Sequence, residues 1–123
     1  SAPAEALEAL GEVYQAKPTA DLRERLEELA AMSTSFAALV QILEDALERI
    51  ETDRDKVDAL HSLAALYEGA RDAPLEALRI HRRILALDDK DERARAALDR
   101  LLHQVAESTD KIAFFREQVE HAV

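Results

Sequence analysis

Residues 60–85 read LHSLAALYEGARDAPLEALRIHRRIL. Two apolar periodic stretches flank GARDAP. Leu60, Leu63, Ala64 and Tyr67 recur at helical spacing before it, and Leu75, Leu78, His81, Ile84 and Leu85 after it. That period of about 3.6 predicts two amphipathic helices. Gly69 can accept a positive φ at a helix end, and Pro74 suits the first turn of the next helix, where its missing N–H costs nothing. The stretch therefore predicts a helical hairpin, with Gly69 expected to make the reversal.

The same pattern extends both ways. Seven helices are predicted, over about 3–15, 20–32, 36–51, 54–68, 74–87, 92–106 and 111–122. AKPT, STS, TDRD, DDKD and ESTD separate most of them. Thr34 or Ser35 is a candidate cap for helix three, and Asp53 for helix four. The predicted core faces carry Leu22, Leu26 and Leu29, then Phe36, Leu39, Val40, Leu43, Leu47 and Ile50. Val57 joins Leu60 on helix four. Helix six offers Leu98, Leu101, Leu102 and Val105, and helix seven Ile112, Phe115 and Val119. Links of a few residues favour antiparallel neighbours. No alternating segment predicts a strand, and the 2 Gly and 3 Pro leave helices largely uninterrupted.

The chain also echoes itself. PAEALEALGEVYQ from Pro3 aligns with PLEALRIHRRILA from Pro74, an offset of 71 that sets Val13 beside Ile84. Leu26 then meets Leu98 and Leu29 meets Leu101 at an offset of 72, and Phe36 meets Ile112 at 76. The drift falls in the links, where insertions are tolerated. Four helices per unit make helix pairs of about 36 residues, close to the period of about 34 for tetratricopeptide repeats.

Residues 57–91 resemble one such repeat. Leu60, Leu63, Ala64 and Tyr67 stand where that family places a large apolar residue, Leu, a small residue and Tyr. Gly69 falls near its turn, Ala77 at the small position of the second helix, and His81 where an aromatic is common. ILALDD resembles the family's closing ALELDP. Asp89 replaces the usual proline, Leu60 stands where tryptophan is common, and Glu27 and Asp99 take the small-residue place in the flanking units.

The resemblance implies an all-α fold, a right-handed α-solenoid of antiparallel helix pairs. It would form a single domain over 1–123, with a half repeat at 3–15 and repeats at about 20–51, 54–88 and 92–122. It further implies a concave groove that takes a protein or peptide segment. Carried over position by position, the groove would present Asp58, His61, Ala65 and Glu68 from the middle repeat. Arg93, Arg100, His103 and Gln104 would come from the third, and Asp21, Glu24 and Glu28 from the first. Such a groove would be acidic at one end and basic at the other. The Lys/Asn set with which the family clamps a terminal carboxylate is missing. A structural spacer is the second expectation, with a weak homo-oligomer formed through the stack ends.

Charge and motifs narrow the classes. Formal net charge is −10. Residues 1–61 hold 14 acids against 6 bases and residues 62–123 hold 12 against 10. An acidic chain repels phosphate backbones, so no nucleic acid is expected. Arg79, Arg82, Arg83, Arg93, Arg95 and Arg100 form a local basic cluster. It would bind an acidic peptide, or pair along exposed helix faces with Asp88, Asp91 and Glu92. No apolar run spans a bilayer, so no membrane is expected.

With no cysteine, disulfides and thiol chemistry are excluded. A cytoplasmic setting is expected, though no residue fixes it. The start SAPAEA lacks a signal core and an initiator Met, which predicts a piece of a longer protein. His103 and Glu107 stand at i,i+4, yet a zinc site needs three or four ligands, so no metal is expected. No cofactor is expected either. Ser33, Ser35, Ser62 and Ser108 lie outside any nucleophile elbow, and no glycine-rich loop cradles phosphate, so the chain is not expected to be an enzyme.

Overall fold

The computed structural model describes residues 2–121, with side chains through 107. Among the described residues all regular structure is helical. It comprises α1 (Ala2–Ala16), α2 (Ala20–Ser33), α3 (Phe36–Ala46), a 3-10 turn (Leu47–Arg49), α4 (Asp53–Glu68), α5 (Pro74–Leu87) and α6 (Glu92–His121).

Consecutive helices pack on one another, and α1 also packs on α3 and α2 on α4. Cross-contacts fix direction. Gly11 lies against Ile42, and Arg49 Nη1 donates to the Gln15 carbonyl at 2.9 Å, so α1 and α3 run the same way. His61 meets Asp91, and Glu68 meets Arg100, so α4 and α6 also run the same way. Gly11 permits the closest of these approaches, since a Cβ there would stand 2.7 Å from Ile42 Cδ1.

The core is continuous from α1 into α6. Leu7, Tyr14, Leu26, Leu39, Leu43, Leu60, Leu63 and Ile84 all keep 2% or less of their surface exposed. Each such aliphatic side chain contributes about 1.5–3 kcal/mol relative to exposure. A smaller cluster of Ala77, Leu78 and Leu101, with Tyr67 and Leu98 against it, seals α5 to α6. Ala64 and Ala77, 1% and 0% exposed, let α4 and α5 approach closely.

Several expectations are corrected. Helices six and seven are one 30-residue helix, so six helices are described rather than seven. ESTD holds neither Gly nor Pro, and Ser, Thr and Asp inside a helix cost well under about 1 kcal/mol each. Ile112, Phe115 and Val119, expected on helix seven, lie outside the residues whose side chains are described.

The reversal after α4 is not made by a glycine of positive φ. Gly69 has φ −95° and ψ −93°, and Asp72 takes φ 44°. Asp tolerates the left-handed region through local hydrogen bonding. The turn closes with Arg71 N–H on the Leu66 carbonyl at 2.9 Å and Ala73 N–H on the Tyr67 carbonyl at 2.6 Å.

Caps differ as well. Thr52, not Asp53, caps α4, accepting the Asp55 N–H at 3.2 Å. Thr34 ends α2 with φ 52°, and Ser35 stands at the start of α3 without a side-chain capping bond.

Two expected core residues point outward: Leu75 is 63% exposed and Leu102 41%. The internal echo breaks at Val13, which is 53% exposed while Ile84 is fully buried. The reason is position. α5 is covered by both α4 and α6, whereas α1 packs on α2 and α3 and leaves its Val13 face bare.

Candidate binding groove

Three adjoining depressions run along α4 where it faces α2 and α6. Their volumes are about 510, 440 and 530 Å³, and His61 and Arg93 line all three. The three adjoin at these two residues and together make up a trough along α4.

The helices set the lining through their registers. Asp58, His61 and Ala65 recur at helical spacing on the α4 face opposite Leu60 and Leu63, so burial of one face presents the other. Glu68 continues the row. From α6 come Arg93, Ala96, Ala97 and Arg100. From α2 come Arg23 and Glu27, with Phe36 and Leu39 at the start of α3 forming an apolar floor.

Of the residues expected in a groove, Asp58, His61, Ala65, Glu68, Arg93 and Arg100 therefore meet along this trough. His103 and Gln104 are exposed and line none of it, and the His103 ring is engaged with the Asp99 carbonyl of its own helix, Nδ1 to O 2.8 Å. Asp21, Glu24 and Glu28 are exposed on the other side of α2, and the register there is shifted so that Arg23 and Glu27 face inward. Amphipathic spacing on α2 is compatible with both registers, because its Leu22, Leu26 and Leu29 stripe is narrow.

Charge changes along the trough. The end at the starts of α4 and α6 carries Asp53, Asp58, Asp88 and Asp91 against Arg54 and Arg93. The other end carries Arg93 and Arg100 against Glu68. The gradient runs along α4, not from the first repeat to the third as the sequence suggested.

A polar network in the wall of the trough ties three helices. His61 Nε2 is 2.8 Å from Asp91 Oδ2, while Asp91 Oδ1 accepts the Ala94 N–H at 2.9 Å and so caps α6. His81 Nε2 is 3.0 Å from Glu68 Oε2, and Arg100 donates to Glu68 Oε1. The two imidazoles stack edge to face with centroids 6.3 Å apart.

Ionised carboxylates only accept, so each Nε2 carries the proton. Burial raises the Glu68 pKa, but the hydrogen bonds from His81 and Arg100 outweigh it and hold the carboxyl below its ordinary 4.5. Burial likewise opposes ionisation of Asp91. The bonds from His61 and Ala94 prevail and hold it below 3.8.

This network escaped the sequence reading because its partners are 13 to 32 positions apart. His81 is buried as expected, at 3% exposure, but as a hydrogen-bonded group and not as a purely apolar filler. The one local signal was Asp91 three residues ahead of Ala94, the spacing of an N-cap.

The basic cluster divides. Arg93 and Arg100 enter the trough, Arg79 pairs with Glu76 at 3.2 Å, and Arg95 donates to the Asp89 carbonyl at 2.6 Å. Among the described residues no three His, Cys, Asp or Glu side chains come together to hold a metal ion, and no helix is long and apolar enough to cross a membrane.

No protein-family model matches the chain, and no curated protein or solved structure is significantly similar to it. The all-helical packing is compatible with a helical repeat.

Proposed function

We propose that the chain is a tetratricopeptide-like α-solenoid whose trough along α4 holds a segment of another protein, without catalysis of its own. One observation carries this reading. Six residues taken from the repeat pattern as groove positions, on two helices about thirty positions apart, line adjoining depressions that share His61, Ala65 and Arg93. Phe36 and Leu39 supply apolar floor, and the change of charge from one end to the other would fix the direction of a segment of mixed charge.

Arg93 is the residue to alter. It reaches all three depressions and is exposed. Arg100 is tied to Glu68, so reversing it places two acids together and disturbs the fold. Arg93→Glu should leave the thermal melt within about 0.5 kcal/mol of the parent while abolishing partner capture in a pull-down. Full capture by this variant would remove the trough from the account.

A second reading, a spacer or self-assembling scaffold, has its own support. Among the described residues the large apolar side chains most exposed are Val13, Met32, Leu75 and Leu102, and none lines the trough. Their burial in a second copy would make apparent mass rise with concentration in sedimentation. A constant monomer mass would remove this reading.

A further inference from the structure

The outer face of α5 carries an unrelieved conflict. Arg79, Arg82 and Arg83 are all exposed there. Helical side chains three and four residues apart are neighbours, so three like charges crowd one face and weaken the helix. Glu76, the one acid of α5, pairs with Arg79 at 3.2 Å. Among the described residues Arg82 and Arg83 make neither a hydrogen bond nor an ion pair. Leu75 and Ala86 stand exposed among these arginines. A local conflict with no compensation inside the fold points to function.

The same chain holds a complementary helix. α1 contains three acids, Glu5, Glu8 and Glu12, and neither Lys nor Arg. All three are exposed and, among the described residues, unpaired. Beside them Ala2, Ala6, Ala9 and Val13 form an exposed edge on the face that α2 and α3 leave bare.

Antiparallel pairing brings the two faces into register. Leu75 lies in the first turn of α5 and Val13 in the last turn of α1, so these exposed apolar side chains meet. At about 1.5 Å per residue, Glu8 then stands about 7.5 Å along from Val13, and Arg79 about 6 Å along from Leu75. Glu5 and Arg83 both stand about 12 Å along. Within one copy α1 packs on α2 and α3, and α5 on α4 and α6, so the partner helix comes from another molecule. Like faces repel, which disfavours α1 on α1 and α5 on α5. The net charge of −10 on each copy opposes association at long range. At about 0.15 M salt that repulsion is screened beyond about 8 Å, and the local pairing decides.

We propose that the outer face of α5 docks α1 of a second copy, antiparallel, with Leu75 on Val13 and with Arg79 and Arg83 on Glu8 and Glu5. The pairing rests on the self-assembling reading and leaves the trough open, because none of these residues lines it. Two different faces meet, so a copy disabled on one face still offers the other.

The test is sedimentation equilibrium at about 0.15 M salt. The apparent mass of the parent chain should rise with concentration. Arg82→Glu with Arg83→Glu disables α5, and Glu5→Arg with Glu8→Arg disables α1. Each variant alone should associate at least about tenfold more weakly, since like charges then face each other. An equimolar mixture should associate again, one variant giving its α1 and the other its α5, and this recovery shows that both are folded. A parent that stays monomeric would overturn both the pairing and the self-assembling reading. Undiminished association of both variants would overturn the pairing alone, as would variants with unchanged melts that stay apart when mixed. A monomeric parent that binds a glutamate-rich peptide, and loses it with Arg82→Glu and Arg83→Glu, would overturn the assignment of α5 to a second copy.

Discussion

His81 Nε2 lies 3.0 Å from Glu68 Oε2, and this bond joins α5 to α4 from a position only 3% exposed. The same carboxylate receives Arg100 from α6. One glutamate thus ties the three helices that build the basic end of the trough.

His81→Ala should destabilise the fold by about 2–4 kcal/mol, from the lost volume and from the Glu68 oxygen left without its donor. Urea denaturation read by circular dichroism measures this. A loss below about 1 kcal/mol would mean that the network does not hold α5.

Acid should weaken the fold through Glu68 and Asp91. Both ionise lower in the folded chain than their ordinary 4.5 and 3.8. Their contribution is complete above those values and is lost as pH falls through the lower folded ones. Melting temperature should therefore drop between pH 5 and pH 3, and Glu68→Gln should flatten that drop. An equally steep fall in the variant would place the acid sensitivity elsewhere.

Both tyrosines should ionise later than an ordinary phenol. Burial and the bond from the Tyr67 hydroxyl to Glu44 at 2.7 Å push the Tyr67 pKa to about 12, and burial raises that of Tyr14. A phenol with a raised folded pKa adds stability that is full below pH 10 and is lost as pH climbs toward 12. Absorbance at 295 nm at pH 10.5 should show clearly less phenolate in the folded protein than in denaturant, where an ordinary phenol of pKa about 10 is about three quarters ionised. A normal titration of either residue while folded would contradict the burial described.

Gly11 offers a test of the α1–α3 contact. Gly11→Ala gains up to about 1 kcal/mol of helix propensity but presses its Cβ on Ile42 Cδ1. That atom is the end of a flexible chain, so the substitution alone should be near neutral. Ile42→Val removes the atom, and Gly11→Ala should then stabilise by about 0.5–1 kcal/mol in that background. Strictly additive effects in the double-mutant cycle would show that the two residues do not touch.

Much of this architecture was legible in the residues. Pro74 and Leu87 bound α5 as predicted, and the stripe Leu60, Leu63 and Ala64 is the buried face of α4. Periodic burial is a local property and leaves a local trace. Chain continuity at ESTD was not legible, because polar residues that favour turns are also tolerated inside a long helix. The left-handed residue after α4 was misassigned because glycine and aspartate can both take it, and packing of the following helix decides between them. The inward register of α2 depends on where α4 and α6 lie, so Arg23 and Glu27 could not be told from Asp21, Glu24 and Glu28 by spacing alone. The His–carboxylate network is wholly tertiary.

The most direct test of the trough is site-specific photocrosslinking. A photoreactive phenylalanine analogue at Ala65, exposed on the trough wall, is compared with one at Ala86, exposed on α5 away from it. Both probes are repeated in the Arg93→Glu background. The account predicts one discrete adduct with a protein from Ala65, none from Ala86, and loss of the first with Arg93→Glu. Equal adducts from both positions, or an Ala65 adduct that survives Arg93→Glu, would contradict it.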